Sequence, residues 1–205
     1  MFVSFEGIDF SGKSTQINLL RDYLISKGNE VKVIREPGGT EISEKIRNVL
    51  LDKKNSEMYM ETEFLLFSAS RAQLVREKIR PYLKKGIYVI SDRFHDSSTA
   101  YQGYGRGLPI EVIQNIHKLA IGETLPDLTF FIDIPVEVAY ERKQLKHSDH
   151  LDRIEESNGD FYSRVRKGYL ELVQKENRFR VLNGEESIEE IHKKILNEIK
   201  IFEQR

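Results

Sequence analysis

The 205-residue chain contains no cysteine, which excludes disulfides and thiolate-bound metals and suits a reducing compartment. It also lacks any apolar run near the roughly 20 residues that a membrane helix needs. Its N-terminus passes straight into an apolar strand, without the pattern of a secretory leader. A soluble, cytoplasmic protein with no membrane partner is expected. Net charge is missing too. The 32 Lys and Arg stand against 33 Asp and Glu, a formal −1, so there is no global basic field and no nucleic-acid partner is expected. Charge runs such as Lys84-Lys85 are accounted for by a well-solvated surface. Internal repeats, low-complexity tracts and linkers are absent as well, so residues 1–205 are expected to form one domain around one substantial core.

What the chain does have is alternation. Short β-rich runs at Phe2-Phe5, Val31-Ile34, Ile87-Ser91, Leu128-Ile134 and Phe179-Leu182 are separated by helical periodicities. These predict helices near 14–27, 41–51, 62–85, 110–121, 135–145, 158–176 and 187–203. Gly28 and Gly86 stand where left-handed caps are wanted, and Ser187 with Glu190 reads as a capping box. Strands alternating with helices imply right-handed crossovers, hence a five-stranded parallel sheet covered on both faces, an α/β/α sandwich. Ligands of such sheets bind at the carboxyl ends of the strands.

The first strand runs into Gly7-Ile8-Asp9-Phe10-Ser11-Gly12-Lys13-Ser14, followed by Thr15 and an amphipathic stretch. Strand, then G-x-x-x-x-G-K-[ST], then helix is the context of a phosphate-binding loop. Glycines let the backbone approach a polyphosphate, and successive N–H groups and the helix N-terminus face its oxygens. Lys13 adds a full charge toward the β/γ-phosphates, and Ser14 suits the Mg²⁺ that accompanies a nucleoside triphosphate. Residues 7 to 15 are therefore the candidate ATP cradle. The third strand ends in Asp92-Arg93. There an aspartate can join the Mg²⁺ shell, and a guanidinium fork can take a second phosphate. Alone, the same pair would read as a surface ion pair.

The run from Asp92 to Gly103, DRFHDSSTAYQG, resembles the signature of thymidylate kinases, P-loop enzymes that move a phosphoryl group from ATP to dTMP. Arg35-Glu36-Pro37-Gly38-Gly39-Thr40, Phe64 to Arg71 (FLLFSASR) and Leu151-Asp152-Arg153-Ile154-Glu155 resemble other segments of that family, in order. The resemblance implies a P-loop kinase fold with a short lid at about 142–153, Mg²⁺ with ATP as donor, and a homodimer. It implies that Phe64 stacks on thymine while Arg71 and Gln102 bond its edge, with Ser98 beside the base. Arg47 and Arg93 would hold the acceptor phosphate, Glu36 and Asp9 would lie near the sugar and the metal-linked water, and Tyr101 would crowd the ribose 2′ position.

Read without the resemblance, Phe64 suits a buried helix face, Tyr101 could pack between helices, and Ser98 and Gln102 could stabilise a turn. Arg71 follows Phe64 by seven residues, two turns along one face, so that stacking and edge reading can converge.

Two nucleotides bring more negative charge than Mg²⁺ and Lys13 can neutralise. The polar, basic-enriched segment from Glu141 to Arg153 has the character of a closing flap, with Arg142 and Arg153 as candidate cations toward ATP and the moving phosphoryl. By the resemblance, transition-state charge comes from an arginine in the phosphate loop or from the lid. Here Phe10 occupies the loop position, which points to the lid. Asn183, at the end of the fifth strand, resembles the adenine-side loop. His147 and His150 lack a third ligand at zinc spacing. Two alternatives stay open: a kinase for another monophosphate or a deoxynucleoside, and a nucleotide-sensing module.

Overall fold

Runs of β-branched and aromatic residues form five strands, β1 Phe2–Glu6, β2 Val31–Arg35, β3 Tyr88–Asp92, β4 Leu128–Asp133 and β5 Phe179–Asn183. The computed structural model describes residues 1–145, 152–154 and 159–204. All pairings are parallel, in the order β2-β3-β1-β4-β5. Consecutive side chains point to opposite faces, and each face has its own cover. Val3, Phe5, Ile90, Phe130 and Leu182 pack against Ile17, Leu20 and Leu24 of α1 (Lys13–Ser26) and Ile191, Ile195 and Ile199 of α9 (Ile188–Glu203). Phe2 and Val89 face Leu74, Val75 and Ile79 on the other side, and Phe131 faces Val165 and Tyr169. The expected α/β/α sandwich is thus formed, with each large apolar side chain contributing about 1.5–3 kcal/mol by burial.

The remaining helices are α2 Glu41–Leu51, α3 Met60–Leu74, α4 Arg80–Lys84, α5 His95–Ser98, α6 Ile110–Ile121, α7 Val136–Leu145 and α8 Gly159–Lys175. Thr40 caps α2 by accepting from the Ser43 amide, and Ser187 and Glu190 form the expected capping box on α9. The predicted run 62–85 is helical from Met60 to Lys84, with a π-turn at Val75–Ile79. Pro81 has no N–H for the carbonyl four residues back and its ring crowds that carbonyl, which widens the preceding turn.

Besides a short 3₁₀ turn at Lys53–Asn55, one helical segment falls outside the expected helices. The signature run continues from α5 into a π-helical stretch, Thr99–Gly105. Ser, Thr and Gly are poor helix formers, so here tertiary contact decides. The segment packs on α8, where a Cβ on Gly105 would come within 2.7 Å of the Phe161 ring. Its start is tied to the sheet by a buried double ion pair, in which the Arg178 Nη atoms each donate to an Asp96 oxygen at 2.7 Å. No described helix is long and apolar enough to cross a membrane.

Candidate active site

Parallel register brings the ends of β1 and β3 side by side, with Phe5 opposite Asp92. The phosphate loop therefore meets the Asp92-Arg93 corner at the carboxyl edge of the sheet. Gly7 has φ 141°, and a Cβ there would lie 2.5 Å from the Ile132 carbonyl oxygen. Gly12, at φ 100°, turns the chain into α1. Phe10 adopts φ 64° without being glycine, a conformation costing about 1–2 kcal/mol. Lys13 Nζ donates to the carbonyls of Gly7 (3.1 Å) and Ile8 (2.8 Å) and to Ser11 Oγ (3.4 Å). Burial, and the Arg93 charge after it, bring its pKa down to about 8 against the opposing pull of Asp9 and Asp92. Asp9, Phe10, Ser11, Gly12, Lys13, Ser14 and Thr15 line a cleft of about 740 Å³. Gly7 and Ile8 stand behind it: they supply the carbonyls that hold Lys13, and the Ile8 side chain is core. Across the loop, Ser14 Oγ donates to Asp92 Oδ2 at 3.5 Å.

Arg93 takes a left-handed conformation, φ 68°, at the end of β3. That turn sends its guanidinium back to the loop, where Nη1 donates to the Gly7 carbonyl at 2.8 Å and Nη2 to Asp9 Oδ1 at 2.5 Å. Tyr101 OH accepts from Nη2 at 3.0 Å, and Tyr162 OH donates to Asp9 Oδ2 at 3.1 Å. Burial alone would raise the Asp9 pKa, but Arg93 and Lys13 outweigh it and hold the carboxyl below its ordinary range. Behind this layer sits Glu6, which the sequence reading did not single out. It is fully buried, accepts from the Phe94 amide, Ser97 and Tyr169, and is pushed up by burial and by Asp96.

The far wall of the cleft comes from β2, α3 and the signature helix. Arg71 is buried with its three nitrogens committed: Nε to Glu36 Oε2 at 2.5 Å, Nη1 to Ser98 Oγ at 3.1 Å, and Nη2 to the Phe94 carbonyl at 3.2 Å. Burial raises Glu36 to about 7 despite Arg71. Arg47 Nη1 holds the Pro37 carbonyl at 2.8 Å, and Gln102 Nε2 donates to Glu63 Oε1 at 2.9 Å. Glu36, Arg47, Arg71, Asp92, Arg93, Ser98, Tyr101 and Gln102 all face the same cleft as the phosphate loop.

Besides Gly7 and Ile8, three expected residues lie outside the cleft lining. Phe64, 2 % exposed, is packed with Leu108 and Ile113 and edge-on to His117, as the core reading of its helix face allowed. The aromatic of α3 that lines the cleft is Phe67. Its signal was present: four residues before Arg71 it lies about 6 Å along the helix axis, whereas Phe64 lies about 10.5 Å away.

Arg153 is drawn out of the cleft lining by buried acceptors. Its Nη2 pairs with Glu63 at 2.7 Å and its Nε donates to the Leu50 carbonyl at 3.0 Å. Asn183 does not line the cleft either; its Oδ1 accepts from the Glu185 amide, and the neighbouring Gly184 lines it instead. Arg142 does face the cleft, donating to the Phe10 carbonyl at 3.3 Å and the Gly184 carbonyl at 2.7 Å. Lys146, His147, Ser148, Asp149, His150, Leu151 and Glu155 lie outside the described residues.

Known proteins resemble this chain along nearly its whole length. The family model described as Thymidylate kinase matches residues 5–195. The thymidylate kinase of Kosmotoga olearia is 51 % identical over 201 residues, covering 97 % of this chain and 94 % of that protein. That of Thermosipho africanus is 48 % identical over 195 residues, covering 95 % of each. The crystal structure of thymidylate kinase from Ehrlichia chaffeensis superposes with a TM-score of 0.78 at 35 % identity, over 98 % of both chains. With a phosphate loop and an arginine-rich far wall facing one cleft, on a chain that the family model matches over residues 5–195, this protein belongs to the thymidylate kinase family.

Proposed function

We propose that the chain, acting as one kinase unit, transfers the γ-phosphoryl of ATP to the 5′-phosphate of dTMP, giving ADP and dTDP for dTTP synthesis. The observation that carries this reading is that a single cleft is lined both by a phosphate loop and by Arg47, Arg71, Arg93 and Gln102. A protein that only sensed ATP would need the first set alone. The loop amides, Lys13 and Arg142 hold ATP. Arg93 and Arg47 take the acceptor phosphate, whose oxygen is already anionic and needs no strong base to attack in line. Phe67 stacks on the base, Arg71 and Gln102 bond its edge beside Ser98, and Tyr101 crowds the sugar, with Asp9 and Glu36 nearby.

The Ser14 hydroxyl and Asp92 carboxylate lie next to each other on the cleft wall and fit Mg²⁺, a hard cation that takes oxygen ligands and keeps waters. When bound, Mg²⁺ would neutralise charge on the β- and γ-oxygens. The protein's own part is to hold both nucleotides in line and aim cations at the transferring group.

Exposed Leu65 on α3 and Val112 and Leu119 on α6, two helices packed together, support a homodimer through that face. The reading includes a cytoplasmic site of action.

A coupled ADP-release assay across the nucleoside monophosphates tests it. Turnover should be greatest with dTMP, far above the purine monophosphates and dCMP. Equal turnover with every acceptor, or ATP hydrolysis indifferent to acceptor, refutes it.

A further inference from the structure

We propose that Glu63 is a positioning residue that selects the pyrimidine, by taking the Gln102 amide nitrogen so that only the Gln102 carbonyl oxygen is offered to the base. The inference rests on the function proposed above and deepens it. Glu63 sits in the first turn of α3, is 1 % exposed, and is not part of the cleft wall; of its bonded partners it is Gln102 that lines the cleft. Both its oxygens are used. Oε1 accepts from Gln102 Nε2 at 2.9 Å and Arg106 Nε at 3.3 Å. Oε2 accepts from Arg106 Nη2 at 3.3 Å and Arg153 Nη2 at 2.7 Å.

Burial would raise this carboxyl, but Arg106, Gln102 and Arg153 together hold it below its ordinary range, so it is ionised. An ionised carboxylate only accepts hydrogen bonds. An amide beside it must therefore turn its NH₂ inward, and the choice between the two ends of the Gln102 side chain is made by chemistry. The carbonyl oxygen is what remains for the ligand, and it needs a donor.

Thymine and uracil carry N–H at ring position 3, while cytosine has a lone pair there. Against Gln102 Oε1, cytosine would set lone pair against lone pair and leave a buried acceptor unpaired. The discrimination falls on N3 and is blind to the 5-methyl group.

The substitution Glu63→Gln inverts the arrangement. Oε2 takes an N–H from each of two guanidinium groups, whereas Oε1 takes one from Arg106 beside the reversible Gln102 amide, so the new amide places its oxygen at the Oε2 position and its NH₂ toward Gln102. Gln102 then turns its oxygen inward and presents NH₂ to the base, which suits the cytosine lone pair.

The test measures kcat/KM for dTMP, dUMP and dCMP on wild type and Glu63→Gln. The ratio of dTMP to dCMP should fall about tenfold or more, while dTMP to dUMP, which share the N3–H, should stay unchanged. If the stranded guanidinium groups keep the single variant from folding, Glu63→Gln with Arg106→Leu removes a positive charge along with the negative one and carries the same comparison. An unchanged dTMP to dCMP ratio, or both ratios falling together as from general loosening, overturns the proposal. Failure of wild type to use dTMP would instead defeat the function on which it rests.

Discussion

The two aromatics of α3 separate stability from recognition, and truncating each in turn tests the assignment. Phe64 is 2 % exposed and packed among Leu108, Ile113 and His117. Phe64→Ala leaves a cavity and should cost about 3–5 kcal/mol. At roughly 2–4 °C per kcal/mol for a chain of this size, Tm should drop about 6–20 °C. Phe67 is only partly buried and lines the cleft. Phe67→Ala forfeits base stacking worth about 1–3 kcal/mol, equivalent to roughly a 5- to 150-fold weaker Kd for dTMP, with a smaller loss of Tm. Thermal melting and dTMP titration calorimetry on both purified variants measure the two quantities side by side. Near-wild-type melting of Phe64→Ala with weakened dTMP binding, together with intact binding by Phe67→Ala, would refute the assignment and restore Phe64 to the ligand.

Three further outcomes follow from the charges and the backbone. Because the Lys13 pKa is lowered to about 8 and a polyphosphate favours its charged form, ATP affinity should fall as pH rises through 8. Calorimetry should detect proton uptake on binding there, and Lys13→Met should abolish both effects. Glu36, raised from 4.5 to about 7 by burial, keeps its proton in the native protein where the unfolded chain has lost it. Stability from this group is fully present below 4.5 and is lost as pH climbs toward 7, so melting curves of Glu36→Gln should be flatter across that interval. Gly7→Ala sets a Cβ 2.5 Å from a backbone oxygen that cannot swing aside, so ATP should no longer raise its Tm.

The sheet and most helices were legible because their signals are local: alternating strand patterns, amphipathic periods and caps. The helix over 95–105 was not, since Ser97, Ser98, Thr99, Gly103 and Gly105 argue against a helix until α8 and the Asp96–Arg178 pair are present. Phe64 and Phe67 flank Arg71 on one helical face, so periodicity alone cannot choose between them; depth along the axis and the contact with α6 decide. Arg153 looked like a cation free for phosphate because nothing in the run around Glu63 marks that acid as buried. Its burial depends on Gln102 and Arg106 from the signature segment and Arg153 from another converging on it. Asn183 missed the cleft by one residue, a shift that strand-end turns do not encode in composition.

The same convergence explains how so cationic a cleft is tolerated in a chain of almost zero net charge. Among the described residues, each basic group facing it is already bonded to the protein: Lys13 to loop carbonyls, Arg93 to Asp9, Arg71 to Glu36, Arg35 to Glu44, Arg47 to Pro37, and Arg142 to Phe10 and Gly184. Phosphate oxygens must therefore add to or replace existing acceptors, and the net gain is the difference between two sets of charge-assisted bonds. Neutral carbonyls give way to phosphate more favourably than carboxylates do. On that ground Lys13, Arg47 and Arg142 are the cations to move on binding, while Arg93, anchored by the ionised Asp9, and Arg71, anchored by Glu36 once pH passes about 7, keep their pairs and present their remaining N–H groups. Recognition is then built on two fixed forks, and neutralisation on three cations that carbonyls hold in reserve.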